Sequence, residues 1–206
     1  MEWISGSPDT PPVINWNQRL REEFVDELTD EQAQLFLGRF LSYNLGFTVN
    51  LLTGVILSGW QRLLIKSWGL KNYTMTIASR GLGKSFIAGH FCYLYCLLNP
   101  GKQIIIVAPT FRSSRRILEH IDAWSRRRAF KGDPGGALLR ETFARDMEKK
   151  QDNYMISFKN GSTIVALPLG DPDRLRGFRC SVLIIDEALM IPQTTIDNVL
   201  KPFLFA

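Results

Sequence analysis

Eight residues, Ala78-Ser79-Arg80-Gly81-Leu82-Gly83-Lys84-Ser85, carry the most specific chemistry of this chain. A triphosphate needs backbone N–H groups converging on its oxygens, a mobile ammonium at the β- and γ-phosphates and a hydroxyl for Mg2+. A glycine-rich turn followed by Lys84 and Ser85 at a helix start supplies all three. The usual pattern opens on glycine, and Ala78 stands at that position. The flanks match the motif's needs. Tyr73-Thr-Met-Thr-Ile-Ala78 is β-branched and apolar and predicts a strand, while residues 84–98 form an apolar run that predicts a buried helix.

A second element answers the first. In Val182-Leu-Ile-Ile-Asp-Glu-Ala188, four apolar residues predict a buried strand whose carboxylates emerge at its C-terminal end, where ligands sit in open α/β sheets. Asp186 is placed to hold the Mg2+ that Ser85 also reaches, and Glu187 to polarise the attacking water as general base. Asp followed by Glu points to the ATPases whose catalytic glutamate follows the metal-binding aspartate. In that class residues 104–108 are expected as an additional strand between the two motif strands. No Asn-Lys-x-Asp guanine signature is present, so the base expected is adenine. Gln61, on a predicted helix before the first core strand, can donate and accept one hydrogen bond each at an adenine edge. Arg80 in the loop and Arg176 in Asp173-Arg-Leu-Arg-Gly-Phe178 are the candidates to neutralise transition-state charge, in cis or from a neighbouring subunit.

These groups need a scaffold, and the remaining sequence describes one. A chain of 206 residues with 45% hydrophobic and 22% charged residues is an ordinary size and composition for one sizeable α/β domain with a small appendage. Residues 1–17, with Pro8, Pro11 and Pro12, read as a loose arm. Residues 30–45 read as an amphipathic helix capped by Thr29 or Asp30, 54–59 as a break and 60–68 as a short helix. Residues 102–108 are a nearly continuous apolar run, the pattern of a strand buried on both faces. Pro109 ends it, and Thr110 caps a helix expected to reach Phe130, before Gly132-Asp-Pro-Gly-Gly136. Asn160-Gly161 predicts a hairpin between 154–158 and 162–167. Pro192 opens a last helix expected to reach Phe205. The expected division is a helical extension over 1–54 and a mainly parallel sheet flanked by helices over 55–206.

Charge and cysteines narrow the setting. Residues 1–50 hold three basic side chains against eight acidic ones, and residues 111–131 hold seven basic against two acidic. The second segment, with Arg112, Arg115, Arg116, Arg126, Arg127 and Arg128, suits a phosphate backbone or an acidic partner surface. Cys92, Cys96 and Cys180 form no Cys-x-x-Cys pair and read as small core residues in a reducing, intracellular compartment. No apolar run reaches the length of a membrane span and no secretory signal opens the chain.

Several motifs together resemble one family. Ser79-Arg80-Gly81-Leu82-Gly83-Lys84-Ser85, with an arginine inside a loop that lacks its first glycine, resembles the deviant Walker A motif of viral terminase large subunits. Trp60-Gln61 is similar to their adenine motif, and Ile105-Ile-Val-Ala-Pro-Thr110 to their following strand and turn. Arg174-Leu-Arg-Gly177 ahead of the Asp186-Glu187 strand matches their spacing of an Arg-Gly element before Walker B. The resemblance covers about residues 55–190 and implies a P-loop NTPase of the additional-strand, catalytic-glutamate type. It further implies a tailed-phage motor that uses ATP and Mg2+ to drive double-stranded DNA into a procapsid. That motor is a homo-oligomeric ring on the portal protein, working with a small terminase subunit in the host cytoplasm. By position, Ser79 to Ser85 cradle the phosphates, Ser85 and Asp186 take the metal, Glu187 activates water and Arg80 or Arg176 is the trigger arginine.

The departures matter as much. The family's Ser/Thr-rich coupling motif and its RNase H-like nuclease domain have no counterpart after Glu187. The expectation is therefore a truncated ATPase domain, monomeric in isolation and without DNA cleavage. Two other readings stay open at this point. One is a superfamily 2 helicase-like translocase, against which Ala188-Leu189-Met190 stands in place of its Asp-Glu-x-His or Asp-Glu-x-Asp. The other is an assembly module that binds nucleotide without hydrolysing it.

Overall fold

Strands as rich in isoleucine and valine as residues 103–108, 163–168 and 182–185 are too apolar to face water on either side, which dictates a sheet covered on both faces. A computed structural model describes residues 29–127, 138–151, 153–169, 175 and 178–204; the arm expected over 1–17 lies outside the described residues. The chain divides into two compact units, Met1–Phe40 and Leu41–Ala206. In the first unit, the beginning of helix α1 (Asp30–Tyr43) is capped by Thr29. The Thr29 hydroxyl accepts from the Gln32 N–H at 3.3 Å while the Gln32 side chain accepts from the Thr29 N–H at 3.0 Å, a reciprocal capping box.

The second unit is the α/β body. Helices α2 (Leu45–Thr53), α3 (Gly59–Leu70) and α4 (Lys84–Leu98) precede strand β1 (Gln103–Ala108) and helix α5 (Phe111–Ser125). Strands β2 (Glu148–Lys149), β3 (Tyr154–Ser157), β4 (Thr163–Pro168) and β5 (Val182–Ile185) follow, then α6 (Gln193–Thr195), a π turn over Ile196–Leu200 and a 3-10 turn over Lys201–Leu204. The strand order is β2-β3-β4-β1-β5. β1 is central and parallel to both neighbours, with Ile105 opposite Val165 on one side and Leu183 on the other. The Asn160-Gly161 turn joins β3 to β4 as the expected antiparallel hairpin. Thr110 caps α5 through its hydroxyl, 3.2 Å from the Ser113 N–H. α5 ends at Ser125, before the expected limit of Phe130; residues 128–137 lie outside the described residues.

Alternation along β1 sorts its side chains into two cores. Ile104 and Ile106 join Ile87, Phe91, Tyr93, Ile117 and Ile121 under α4 and α5. Ile105 and Val107 join Val165, Leu175, Val199, Leu200 and Phe203 on the opposite face. α4 and α5 cross closely because Gly89 has no side chain: a Cβ there would lie 3.4 Å from the Ile117 carbonyl oxygen. Among the described residues no helix is long and apolar enough to cross a membrane.

Two expectations about strands are corrected. Residues 73–78 are extended but pair with no strand among the described residues. Tyr73, Met75 and Ile77 are 79%, 73% and 79% exposed, while Thr76 is held by the Trp68 indole N–H at 3.3 Å. The alternation of a strand is therefore present without its ladder, because a strand is completed by a neighbour and not by its own sequence. β1 lies beside β5, as an intervening strand must, but residues 73–78 do not take its other edge. It hydrogen-bonds directly to β5 on one edge and to β4 on the other, and β5 closes that side of the sheet.

Candidate functional site

The phosphate loop is built by glycine conformation. Gly81 and Gly83 take φ of 84° and 77°, left-handed values that cost a side-chain-bearing residue energy. Gly83 is the N-cap of α4, and the helical ladder begins with the Ile87 N–H on the Gly83 carbonyl at 3.0 Å. The N–H groups of Lys84, Ser85 and Phe86 precede that first bond and stand at the positive end of a 15-residue helix. Ser79, Arg80, Gly81 and Leu82 are exposed around the turn. The Lys84 ammonium donates to the Ala78 carbonyl at 2.6 Å and the Ser79 carbonyl at 2.9 Å, which folds its stem back over the loop and leaves one hydrogen for a phosphate oxygen.

Gln61 reaches the same loop from α3. Its side-chain oxygen accepts from the Ser58 N–H at 3.0 Å, which fixes the amide's orientation. Its Nε2 faces Gly83 so closely that a Cβ on Gly83 would lie 3.3 Å away. One lone pair of the oxygen is thus already spent on the helix start, and the amide's donor side is turned to the loop.

The carboxylates arrive from β5. The Asp186 N–H extends the ladder to the Val107 carbonyl at 2.9 Å, fixing the residue at the strand's C-terminal end. Burial pushes the Asp186 carboxyl above its ordinary range. The Glu187 N–H, donating at 3.0 Å, opposes that shift, and the Glu187 charge adds to it. The charges of Lys84 and Arg116 also draw it down. The charges of Lys84 at the start of α4 and Arg116 on α5 thus both reach the carboxylate at the end of β5. Glu187 is exposed and is the single non-glycine residue with positive φ among the described residues, at φ 54° and ψ 38°. Such backbone strain is retained where the surrounding structure fixes it, and it clusters at functional sites.

Ser113 was not singled out by sequence reasoning. Its hydroxyl donates to Glu187 Oε2 at 3.2 Å and lies 3.0 Å from the Thr110 hydroxyl. The available signal was positional: a serine one turn into the helix that follows β1, the neighbour of β5. Arg116 was read only as a surface contact, yet its charge reaches Asp186. Arg80 is exposed on the loop, whereas Arg176 and Arg128 lie outside the described residues. Ser85 at the start of α4 and Asp186 at the end of β5 offer a hydroxyl and a carboxylate, both hard oxygen donors. That chemistry fits Mg2+, which keeps several waters and takes few protein ligands. Among the described residues no cluster of three or more His, Cys, Asp or Glu competes for a metal.

A three-layer α/β body, a glycine loop at a helix start and a strand-end Asp-Glu define a P-loop NTPase. The sequence profile of "Terminase large subunit, T4likevirus-type, N-terminal" matches residues 75–203, and the chain belongs to that family. No curated protein matches. Among solved structures, the large terminase ATPase domain of Thermus phage P74-26 is similar at 21% identity and a TM-score of 0.53, over 76% of this chain and 63% of that one. The large terminase of a second, thermophilic bacteriophage, solved in complex with ADP, is similar at 13% identity and a TM-score of 0.45, over 71% of this chain and 35% of that one. The chain therefore spans less than two thirds of the length of these solved relatives.

Proposed function

We propose that this chain is the ATP-hydrolysing part of a viral DNA-packaging motor, acting in the host cytoplasm. The observation that carries this reading is a left-handed glycine loop with Lys84 at a helix start together with the Asp186-Glu187 pair at the C-terminal end of a parallel strand, in a chain of the terminase large-subunit family. The loop from Ser79 to Ser85 cradles the triphosphate, with Lys84 at the β- and γ-phosphates and Gln61 at the adenine edge. Ser85 and Asp186 hold Mg2+, which when bound draws charge from the phosphate oxygens. Glu187, oriented by Ser113, takes a proton from the attacking water. Arg80, or Arg176 from the same or a neighbouring subunit, offsets the charge of the transition state. Double-stranded DNA, a portal protein and a small terminase subunit are the partners this role calls for, in a ring of identical subunits.

Single-turnover ATP hydrolysis, measured with and without double-stranded DNA, tests the reading. Glu187→Ala is expected to keep ATP binding and to lose hydrolysis by about 100-fold or more, the contribution of a positioned general base. Equal hydrolysis by the parent and the variant would sink the role of Glu187. Binding without hydrolysis in both would favour a nucleotide-binding assembly module.

A further inference from the structure

Helix α5 was read as a basic segment, and its arginines divide into two kinds. Arg115 is committed to the protein: its guanidinium lies 5.8 Å from the Phe111 ring centre and 5.6 Å from that of Tyr154, and its Nε is 3.3 Å from Glu119. Arg126 pairs with Asp122 at 3.4 Å, and Asp122 also takes Arg140 at 3.1 Å. Both acids of the helix are thereby occupied. Arg112, Arg116 and Arg127 are exposed and make no ion pair among the described residues.

At 3.6 residues per turn Arg112 and Arg116 fall within about 40° of one another, opposite the face that buries Ile117, Leu118 and Ile121. Arg112 and Arg116 are about 6 Å apart along the axis, and Arg127 follows the end of the helix. The chain continues past Ser125 as a tight turn, with the Arg127 N–H on the Trp124 carbonyl at 3.0 Å, so Arg127 extends the row. His120 lies beside it and is held below its ordinary pKa, first by partial burial and then by the Arg116 charge.

We infer that Arg112 and Arg116 on α5, with Arg127 in the turn just past its end, form a docking surface for the phosphate backbone of double-stranded DNA. The inference rests on the packaging-motor reading above and adds the surface to it. A rigid row of guanidinium groups, with both acids of its own helix already paired, complements a polyanion whose strands carry a phosphate every ~3.4 Å along the axis. Guanidinium groups also pair with phosphate oxygens through two hydrogen bonds at once. Such contacts carry no base information, as a motor that must pass every sequence requires. The row begins in the turn of α5 whose Ser113 hydroxyl contacts Glu187, so one helix carries the arginines and touches that carboxylate.

The test is the salt dependence of binding to a short duplex of mixed sequence, for the full chain and for Arg112→Gln, Arg116→Gln, Arg127→Gln and the triple variant. Lys159→Gln, an exposed lysine in the hairpin turn, is the control. Melting temperatures equal to the parent's establish that the variants are folded. Arg112 and Arg127 are the cleaner single changes, because Arg116 also acts on Asp186. Each of the three is expected to weaken binding for every sequence and to lower the slope of log affinity against log salt by about 0.9, with Lys159→Gln unchanged. An unaltered slope in the triple variant would overturn the surface and leave the motor reading intact. Loss of self-association with unaltered DNA binding would assign the row to a second copy of the chain instead. A parent that binds ATP but no duplex would overturn the surface and the motor reading together.

Discussion

Glu187, the proposed general base, carries a backbone cost. Its left-handed conformation costs a non-glycine residue roughly 1–2 kcal/mol. Glu187→Gly is therefore expected to stabilise the protein by about 1 kcal/mol, a rise of roughly 2–4 °C in melting temperature at this chain length, while abolishing hydrolysis. A melting temperature at or below the parent's would mean that the Ser113 contact already offsets the strain. Ser113 touches the Glu187 carboxylate. Ser113→Ala is expected to lower kcat roughly 2- to 12-fold, the worth of one hydrogen bond, with KM for ATP unchanged. A matching rise in KM would move Ser113 into nucleotide binding. At this scale residue type alone puts Lys84, Asp186 and Glu187 forward, and the structure sets Lys84 at a helix start and the two acids at the end of β5. The sequence was silent on Ser113, because a serine acquires that role only when β1 and β5 lie side by side.

Among the elements, the loop before α4 depends most on a single backbone state. Gly83→Ala would force a left-handed alanine and bring its Cβ to 3.3 Å from Gln61 Nε2. At roughly 1–2 kcal/mol for the backbone alone, ATP affinity is expected to fall about tenfold. Gly59→Ala, in the first turn of α3 with nothing within 4 Å of the new Cβ, serves as the comparison and is expected to be neutral or slightly stabilising. Equal affinities for the two variants would refute the loop geometry. The legible elements were those whose own sequence determines them. β1 is apolar throughout, α4 is long and unbroken, and the β3–β4 hairpin carries Asn160-Gly161. Residues 73–78 have the composition of a strand without the pairing, and no local signal carries pairing. β1 lies beside β5 as expected, but β4 and not residues 73–78 takes its other edge, because strand order follows from long-range ladders.

For the whole molecule, the packing of α4 on α5 makes stability depend on pH. His90 lies between Phe86 and Trp124, its ring 4.4 Å from the first and stacked 4.7 Å from the second. Its Nδ1 is 3.0 Å from the Phe86 carbonyl, an acceptor, so Nδ1 carries the proton. Burial pushes its pKa down from 6.5 to about 4, the Phe86 carbonyl opposes this, and the charges of His120 and Arg127 add to it. Because the folded value lies below the unfolded one, the full contribution is present above about pH 6.5. As pH falls toward 4 the unfolded chain binds a proton that the fold refuses, a loss of about 1.4 kcal/mol per pH unit and on the order of 3 kcal/mol in all. Urea denaturation between pH 7 and pH 4.5 should show this slope, and His90→Phe, which keeps an aromatic ring against Trp124, should flatten it. A slope unchanged in that variant would place the acid sensitivity elsewhere.

The central claim is that Lys84 and the Asp186-Glu187 pair form one nucleotide site, and equilibrium binding of ATP with Mg2+ tests it most directly. The parent and Glu187→Ala are expected to bind alike, with Lys84→Ala weaker by about tenfold or more. Binding by Lys84→Ala at the parent's affinity, or no binding by the folded parent, would contradict the site.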